Sequence, residues 1–241
     1  MQQSVEVEAR PEPFSFDPAR TALILVDMQN GFASKGGYLE RAGFDIGEAR
    51  ATLRNCQRLL AATRPAGIRS IYLQMGWHED LRDAGSADGG MYRKSVALRF
   101  MRKQRQNDRT ALIRGTWDYA IVDELAPQPG DIVVPKTRLS GFFETNLDSV
   151  LRGADIKTLI FVGIATNICV EATIRDALYR DYLCLVIEDA TNATGPAYVK
   201  DATLFNVETI LGWVTNTDTL CRALVPAAAP PAARGKEKVS S

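Results

Sequence analysis

The stretch VGIATNICVEATIRDAL, residues 162–178, decides how the surrounding chain folds. Apolar residues typical of a buried strand run to Ile164, a turn of small residues follows, and a helix begins near Asn167. This order places Cys169 in the first turn of the helix. There the helix dipole and the free backbone N–H groups favour the thiolate, which is the reactive form of cysteine. Cys169 is therefore either an inert core residue or a nucleophile, and the rest of the chain has to distinguish the two.

The alternation of strand and helix continues on both sides of this stretch. The sequence predicts strands at 21–27, 68–75, 131–135, 157–164, 183–190 and from 213. It predicts helices at 46–67, 146–155, 167–182, 197–212 and up to 224, with a loop at 86–95. Strands that alternate with helices indicate βαβ units, and short, almost wholly apolar strands suit a sheet covered on both faces. We therefore predict a three-layer α/β fold, with a mostly parallel six-stranded sheet between two layers of helices.

Composition indicates one ordinary globular domain. The chain has 241 residues, of which 46% are hydrophobic and 24% charged, and nothing marks an inner boundary. We predict a folded domain over 14–225, preceded by an N-terminal arm, 1–13. The Ala/Pro-rich tail, 226–241, is expected to be disordered.

Charge and hydropathy argue against several partners. The 29 Lys and Arg residues balance the 29 Asp and Glu residues, so we expect neither nucleic acid nor an anionic membrane as partner. No apolar run reaches the roughly 18–20 residues that span a bilayer. The N-terminus is acidic and lacks the apolar core of a signal peptide, so we expect a cytoplasmic protein.

The cysteines and the single histidine restrict the chemistry. Cys56, Cys169, Cys184 and Cys221 show no CxxC spacing, so neither a disulfide framework nor a zinc site is predicted. His78 would have to serve alone in any zinc hydrolase, Ser-His-Asp triad or Cys-His protease. We expect it at the surface or at a pocket rim, and any enzymatic base to be another residue.

Three polar residues fall at carboxyl ends of predicted strands, where open α/β sheets bind their ligands. Asp27 ends the first strand, Lys136 ends the third, and Cys169 follows the fourth. Taken singly, each has an ordinary interpretation as a turn residue, a solvated strand end or core filler. Together they form a nucleophilic set without histidine: the ammonium lowers the thiol pKa, and the carboxylate takes the thiol proton and returns it to the leaving group.

The segments that carry these residues resemble a known family. LILVDMQNGF, VVPKTRLSGFFETNL and GIATNICVEATIRDA are similar to the three signature segments of the isochorismatase-like cysteine hydrolases, and the likeness runs from about residue 14 to 224. The resemblance implies Asp27 as general base, Lys136 as electrostatic partner and Cys169 as nucleophile. It further implies a cis peptide bond between Ile164 and Ala165, with the backbone N–H groups of Ala165 and Cys169 as the oxyanion hole. It implies no metal and no organic cofactor.

The resemblance also implies a substrate class. Segments outside the motifs, such as GGYLERAGFD and GTWDYAIVDELAPQPGDIV, are similar to members that hydrolyse ureidoacrylate during pyrimidine breakdown. Relatives that cleave biuret, triuret or carbamoylsarcosine remain alternatives, as does a non-catalytic scaffold of the same fold. The single histidine argues against metal-dependent nicotinamidases, and the cysteine argues against isochorismatases proper. We expect a small ureido substrate and a homo-oligomer.

The chain departs from the family pattern at three pocket positions. Phe32, Leu139 and Met75 stand where polar residues are expected, which makes the pocket more apolar. The basic stretch 93–109 is a subunit interface, a lid or a solvated helix face. Lys94 and Arg138 are candidate cations for a substrate carboxylate. The full set of candidate substrate-binding residues is Phe32, Tyr38, Gln74, Trp77, Arg138, Leu139 and Asn167.

Overall fold

A computed structural model describes residues 4–103 and 110–225 and has a parallel sheet at its centre. Two short strands precede the six strands of the sheet. In chain order the strands of the described residues are β1 (Val5–Val7), β2 (Phe14–Phe16), β3 (Thr21–Val26), β4 (Arg69–Met75), β5 (Ile132–Lys136), β6 (Thr158–Ile164), β7 (Leu183–Asn192) and β8 (Trp213–Thr215). The sheet has the order β5-β4-β3-β6-β7-β8, and every pairing in it is parallel. The predicted six-stranded sheet is confirmed.

The helices lie between the strands, as the alternating pattern predicts. In chain order they are α1 (Asn30–Ala33), α2 (Tyr38–Arg41), α3 (Ala49–Thr63), α4 (Gly90–Lys94), α5 (Val96–Lys103), α6 (Leu147–Gly153), α7 (Glu171–Leu178), α8 (Tyr198–Asn206) and α9 (Thr217–Leu224). A π-helical turn, Thr166–Val170, leads into α7, and a second one, Val207–Leu211, follows α8. No helix of the described ranges has the length and hydropathy needed to cross a bilayer.

Alternate residues of the inner strands face two separate apolar layers. Leu23 and Leu25 of β3 pack with residues of α3, α5 and α9, whereas Ile24 and Val26 pack with residues of α6 and α7. The six residues of β3 are all buried, which explains why its sequence is a continuous apolar run. Burying one such large aliphatic side chain contributes about 1.5–3 kcal/mol. The two layers of helices therefore hold the sheet, and the predicted three-layer fold is confirmed.

Some boundaries differ from the predicted ones. The segment 86–95, predicted as a loop, contains α4, which begins at Gly90. Glycine has a low helix propensity, so the sequence gives no sign of a helix there. The long helix predicted at 46–67 is shorter, because α3 begins at Ala49 and ends at Thr63, before Pro65.

The described part of the N-terminal arm pairs with the rest of the chain. β1 pairs antiparallel with β2, and Val7, Phe14 and Phe16 are buried. The backbone of Arg10 exchanges two hydrogen bonds, of 2.8 and 3.0 Å, with Val214 of β8. The division of the chain at residue 13 remains a prediction. The tail 226–241 lies outside the described residues, as do Arg105 and Arg109 of the basic stretch.

Candidate active site

The turn after β6 begins where two strands approach closely. Gly163 has a φ of +114°, and a Cβ there would lie 2.1 Å from the backbone oxygen of Val26 in β3. Only glycine fits such an approach. The next peptide bond, between Ile164 and Ala165, is cis, as the resemblance implies. The chain then enters the π-helical turn that carries Cys169, a conformation often found at functional sites.

Asp27 lies at the point where the strand order of the sheet reverses, between β3 and β6. Its φ of +50° turns the chain sharply at the end of β3, a conformation that Asp tolerates better than most residues. Its backbone N–H donates to the Leu73 oxygen at 3.0 Å. Lys136 is paired in register with Met75 of β4, so its long side chain reaches past β4 to the carboxylate of Asp27.

The Lys136 ammonium is held by three acceptors. Nζ donates to Asp27 Oδ2 at 2.8 Å and to the backbone oxygens of Arg138 and Leu139 at 3.2 and 3.1 Å. An ammonium has three hydrogens, so all its donors are occupied. The side chains of both Lys136 and Asp27 are 0% exposed. Lys136 is therefore a fixed charge that orients Asp27 and shapes the turn after β5.

The surroundings shift the pKa of both members of this buried pair. Burial raises the pKa of Asp27, and the Lys136 ammonium offsets only part of that increase. Burial alone would lower the pKa of Lys136, but the neighbouring Asp27 and Cys169 raise it above its ordinary value. Oδ1 of Asp27 is buried and accepts no well-formed hydrogen bond from the described residues. That oxygen is the one open to a proton.

Cys169 lies against the pair and is a thiol at rest. Burial raises its pKa to about 12; the Lys136 ammonium opposes the increase and the Asp27 carboxylate adds to it. Lys136 lowers the thiol pKa, as the sequence leads us to expect, but the loss of solvation outweighs that effect. A buried thiol of this pKa needs a base during the reaction. Asp27 interacts with Cys169 and is placed to be that base.

Cys169 borders a small, mainly apolar cavity. Its volume, counted as the space open to the centre of a water molecule, is about 80 Å³. Four of the seven candidate substrate-binding residues line it, namely Phe32, Tyr38, Trp77 and Leu139. Met75 lines it as well. The cavity wall is completed by Leu39, Met91, Ser95, Val96, Ala97, Leu112, Ala165, Ile168 and Thr194.

Gln74 and Arg138 do not line the cavity. Gln74 precedes Met75, and successive strand residues point to opposite faces. Its side chain donates to the Tyr119 backbone oxygen at 3.0 Å. The Arg138 guanidinium turns outward to the backbone oxygens of Asp83 and Thr137, at 3.1 and 3.0 Å. Neither side chain is placed to contact a ligand beside Cys169.

Asn167 does not line the cavity either, but it fixes a residue that does. Its Nδ2 donates to the Thr194 backbone oxygen at 3.1 Å, and its Oδ1 accepts from the Thr194 N–H at 3.0 Å. This pair of hydrogen bonds joins the turn before Cys169 to the loop after β7. Asn167 therefore positions Thr194 at the cavity wall.

The wall formed by α4 and α5 was missed by the sequence reasoning. Met91, Ser95 and Ala97 face the cavity, whereas Lys94 and Arg99 are exposed. The described part of the basic stretch is thus both a cavity wall and a solvated helix face. The sequence does indicate a buried helix face here. Val96, Ala97, Phe100 and Met101 have helical spacing, with basic residues between them.

The backbone N–H groups near Cys169 matter for any carbonyl chemistry. Within residues 4–103 and 110–225, the Ala165 N–H has no hydrogen-bond acceptor. Cys169 lies in the first turn of its helix, where intrahelical acceptors are incomplete. Both residues border the cavity. These amides are therefore available to a substrate oxygen.

His78 lies outside this site. Its Nε2 is 2.9 Å from Arg114 Nη1, and its Nδ1 is 3.2 Å from Arg82 Nη2. It is half-buried and does not line the cavity. In the part of the chain that the structure describes, no group of three or more His, Cys, Asp or Glu side chains is placed to hold a metal ion.

The parallel sheet, the cis bond after β6 and the Asp27, Lys136 and Cys169 cluster define a class of protein. The chain belongs to the isochorismatase family, because the isochorismatase domain matches residues 21–219. It is similar to the ureidoacrylate amidohydrolases RutB of Rhizobium rhizogenes (strain K84) and Agrobacterium fabrum (strain C58). The first is 51% identical over 228 residues, covering 95% of this chain and 92% of that protein. The second is 50% identical over 220 residues, covering 91% and 96%.

A solved structure supports the same fold. A cysteine hydrolase from Pseudomonas syringae pv. phaseolicola 1448A superposes with a TM-score of 0.74 and is 32% identical in sequence. The match covers 87% of this chain and 94% of that one. The likeness therefore extends over most of both chains.

Proposed function

We propose that this protein is a cysteine amidohydrolase that cleaves a ureido C–N bond, with ureidoacrylate as substrate and aminoacrylate and carbamate as products. The observation that carries the proposal is the buried Lys136–Asp27 pair placed against Cys169 at the cavity wall. The two RutB relatives, each about half identical over nearly the whole chain, support the choice of ureidoacrylate.

In the first half of the reaction, Asp27 Oδ1 takes the proton of the Cys169 thiol as Sγ attacks the ureido carbonyl carbon. The S–C bond forms and the carbonyl oxygen becomes an oxyanion. The backbone N–H groups of Ala165 and Cys169 bind that oxygen, and each such donor is typically worth ~3–4 kcal/mol in the transition state. Asp27 then gives its proton to the substrate nitrogen as the C–N bond breaks. Aminoacrylate leaves, and a carbamoyl group remains on Cys169.

In the second half, water replaces the leaving group. Asp27, again a carboxylate, removes a proton from water as the water oxygen attacks the thioester-type carbonyl. The C–S bond breaks, the proton returns to Sγ, and carbamate is released. Lys136 keeps its proton throughout, because all of its hydrogens are already engaged. It stabilises the negative charge on Asp27 and orients that side chain.

A panel of ureido compounds tests the proposal. We expect kcat/KM for ureidoacrylate to exceed that for biuret, triuret and carbamoylsarcosine. If a neutral ureide were preferred by about a hundredfold, ureidoacrylate would be the wrong substrate. The proposed class, an amidohydrolase of ureido compounds, would still hold. Cleavage of nicotinamide with no ureide hydrolysed would overturn the class as well.

We further propose a cytoplasmic homo-oligomer. All four cysteines are free thiols, which supports a reducing compartment. Large apolar side chains are exposed on α8 and on the π-helical turn after it, namely Tyr198, Phe205 and Ile210, at 69%, 67% and 73%. Such exposure supports a contact with a second subunit. Light scattering of the purified protein tests this, and a monomer at micromolar concentration would refute the oligomer.

A further inference from the structure

The cavity beside Cys169 has no side-chain cation to meet an acidic substrate. No lysine or arginine of the described residues lines it, and Lys136 donates to Asp27 and to two backbone oxygens. Arg138, the cation expected from the sequence, donates to backbone oxygens outside the cavity. A carboxylate that enters this cavity must therefore be bound by neutral donors.

One group of neutral donors lies at the start of α5. Val96 and Ala97 begin this eight-residue helix, Ser95 directly precedes it, and all three border the cavity. Within the described ranges, the backbone N–H groups of Val96 and Ala97 have no acceptor. The Ser95 hydroxyl accepts from the Leu98 N–H at 3.4 Å, which leaves its own proton free to donate. The helix dipole favours an anion at this end.

A second, independent observation comes from Tyr38 of α2. The residue is 4% exposed and lines the cavity, yet its hydroxyl has no hydrogen-bond partner among the described residues. The ring is fixed by an edge-on contact with Phe32, with ring centroids 5.2 Å apart. The ring is buried, but its hydroxyl oxygen is not enclosed by protein, and the residue borders the cavity. An oriented donor at the cavity with no acceptor among the described residues is placed to donate to a ligand.

We propose that the first turn of α5 and the Tyr38 hydroxyl together bind the carboxylate of the substrate. The inference rests on the proposed function and adds how that site distinguishes ureidoacrylate from neutral ureides. The carboxylate oxygens accept from the N–H groups of Val96 and Ala97 and from the hydroxyls of Ser95 and Tyr38. The carboxylate thus lies against α5 while the ureido carbonyl lies against Cys169.

A backbone N–H can be removed here without breaking the helix. Val96 is the first residue of α5, a position that accepts proline. Ser95 before it has φ −52° and ψ 129°, which is compatible with a following proline. Val96→Pro therefore deletes one proposed donor and little else. Val96→Ala keeps the N–H, so any effect of losing the side chain is seen there and falls equally on acidic and neutral substrates.

The experiment compares ureidoacrylate with ureidoacrylamide, in which a neutral amide replaces the carboxylate. We expect Val96→Pro and Tyr38→Phe each to raise KM for ureidoacrylate about tenfold, as expected for one lost hydrogen bond to a charged group, with kcat little changed. KM for the amide should rise much less, by about twofold, because an amide carbonyl accepts a weaker hydrogen bond than a carboxylate does. Tyr72→Phe, a buried tyrosine whose hydroxyl faces Arg64 and not the cavity, is the matched control and should leave both KM values unchanged.

The outcomes separate this inference from the proposed function. Equal changes for both substrates, or no change for either, would overturn the carboxylate site and leave the amidohydrolase standing. A wild-type protein that cleaved the acid and the amide equally well would do the same. Hydrolysis of neither compound by the wild type would overturn the proposed function together with the site. Thermal melting checks the fold of each variant, and Tyr38→Phe decides the test if Val96→Pro does not fold.

Discussion

Cys169 follows the carboxyl end of β6, Cys184 lies near the amino end of the neighbouring strand β7, and both are buried. The pKa of each thiol is raised to about 12, with burial as the largest cause. For Cys184 burial is the only cause, and its Sγ lies 3.6 Å from the Tyr182 backbone oxygen. Cys169 borders the cavity and interacts with Asp27 and Lys136. The pKa of a buried thiol therefore does not single out the proposed nucleophile, whereas the neighbouring Asp27 carboxylate and the cavity do.

Replacing each cysteine in turn should give the largest difference between Cys169 and Cys184, measured as kcat. We expect Cys169→Ser to lower kcat by about a thousandfold or more, because a hydroxyl is a far weaker nucleophile than a thiol assisted by Asp27. Cys184→Ser should keep its activity, since it only exchanges one buried donor for another. Steady-state kinetics on ureidoacrylate and thermal melts measure both, with Cys56→Ser and Cys221→Ser as further controls. More than a few per cent of activity in Cys169→Ser would refute the assignment.

The pH dependence of alkylation should also distinguish Cys169 from Cys184. Only thiolates react with iodoacetamide, and a pKa of about 12 leaves Cys169 protonated at neutral pH. Below that pKa, the alkylation rate of Cys169 should rise about tenfold per pH unit between pH 7 and 10. Cys184 should stay unlabelled while the protein is folded, because it is 1% exposed and does not line the cavity. Mass spectrometry of the labelled peptides measures both rates, and a plateau for Cys169 near pH 7 would contradict the raised pKa.

Cys169 has the buried Asp27–Lys136 ion pair beside it, and Cys184 does not. In Lys136→Met, Asp27 loses its partner and its pKa rises further. The unfolded chain ionises this carboxyl near pH 4 while the folded variant keeps its proton, so folding stability falls as pH rises above that value. We expect a loss of about 3 kcal/mol at pH 8 and a smaller loss at pH 5.

A solvated ion pair supplies the control for that measurement. Lys157 and Asp155 are 3.4 Å apart with side chains 48% and 67% exposed, so Lys157→Met should cost less than about 1 kcal/mol. Urea unfolding of both variants at the two pH values gives the comparison. Equal losses at pH 8 would mean that the Asp27–Lys136 pair does not differ from a surface pair.

The smallest expected effect concerns metals. If the site around Cys169 held a metal ion that the reaction needs, chelation would abolish activity. We expect dialysis against a chelator to leave kcat unchanged, because Asp27, Lys136 and Cys169 suffice for the proposed steps. A loss that zinc or iron alone restores would show that the site is incomplete without metal.

The fold and the reacting cluster could be predicted because each depends on a local pattern. Every strand of the sheet has its own apolar run, and parallel strands bring their carboxyl ends to one edge. Once the strands are placed, that rule predicts that Asp27, Lys136 and Cys169 lie close together. The increase in the Cys169 pKa and the hydrogen bonds of Lys136 do not follow from that rule, because both depend on burial.

The cavity wall was harder to predict, since it depends on side-chain direction. Gln74 and Met75 are neighbours in sequence, but only Met75 faces the cavity. Arg138 sits in the turn whose backbone binds Lys136, and this contact sends its guanidinium outward. α4 begins at a glycine and gives no helical signal, so the sequence predicts a loop over 86–95, and the basic stretch that contains α5 gives no sign of a cavity wall.

The contact between Arg10 and Val214 has a consequence for self-association. β8 is the last strand of the sheet, and an uncovered last strand can template growth with another chain. The N-terminal segment occupies part of that border by two backbone hydrogen bonds, and its guanidinium pairs with Glu188 and Glu208, each at 2.9 Å. A protein shortened to begin at residue 14 would present this border to its neighbours. We therefore expect the N-terminal arm, 1–13, to reduce pairing of β8 with a strand of another molecule.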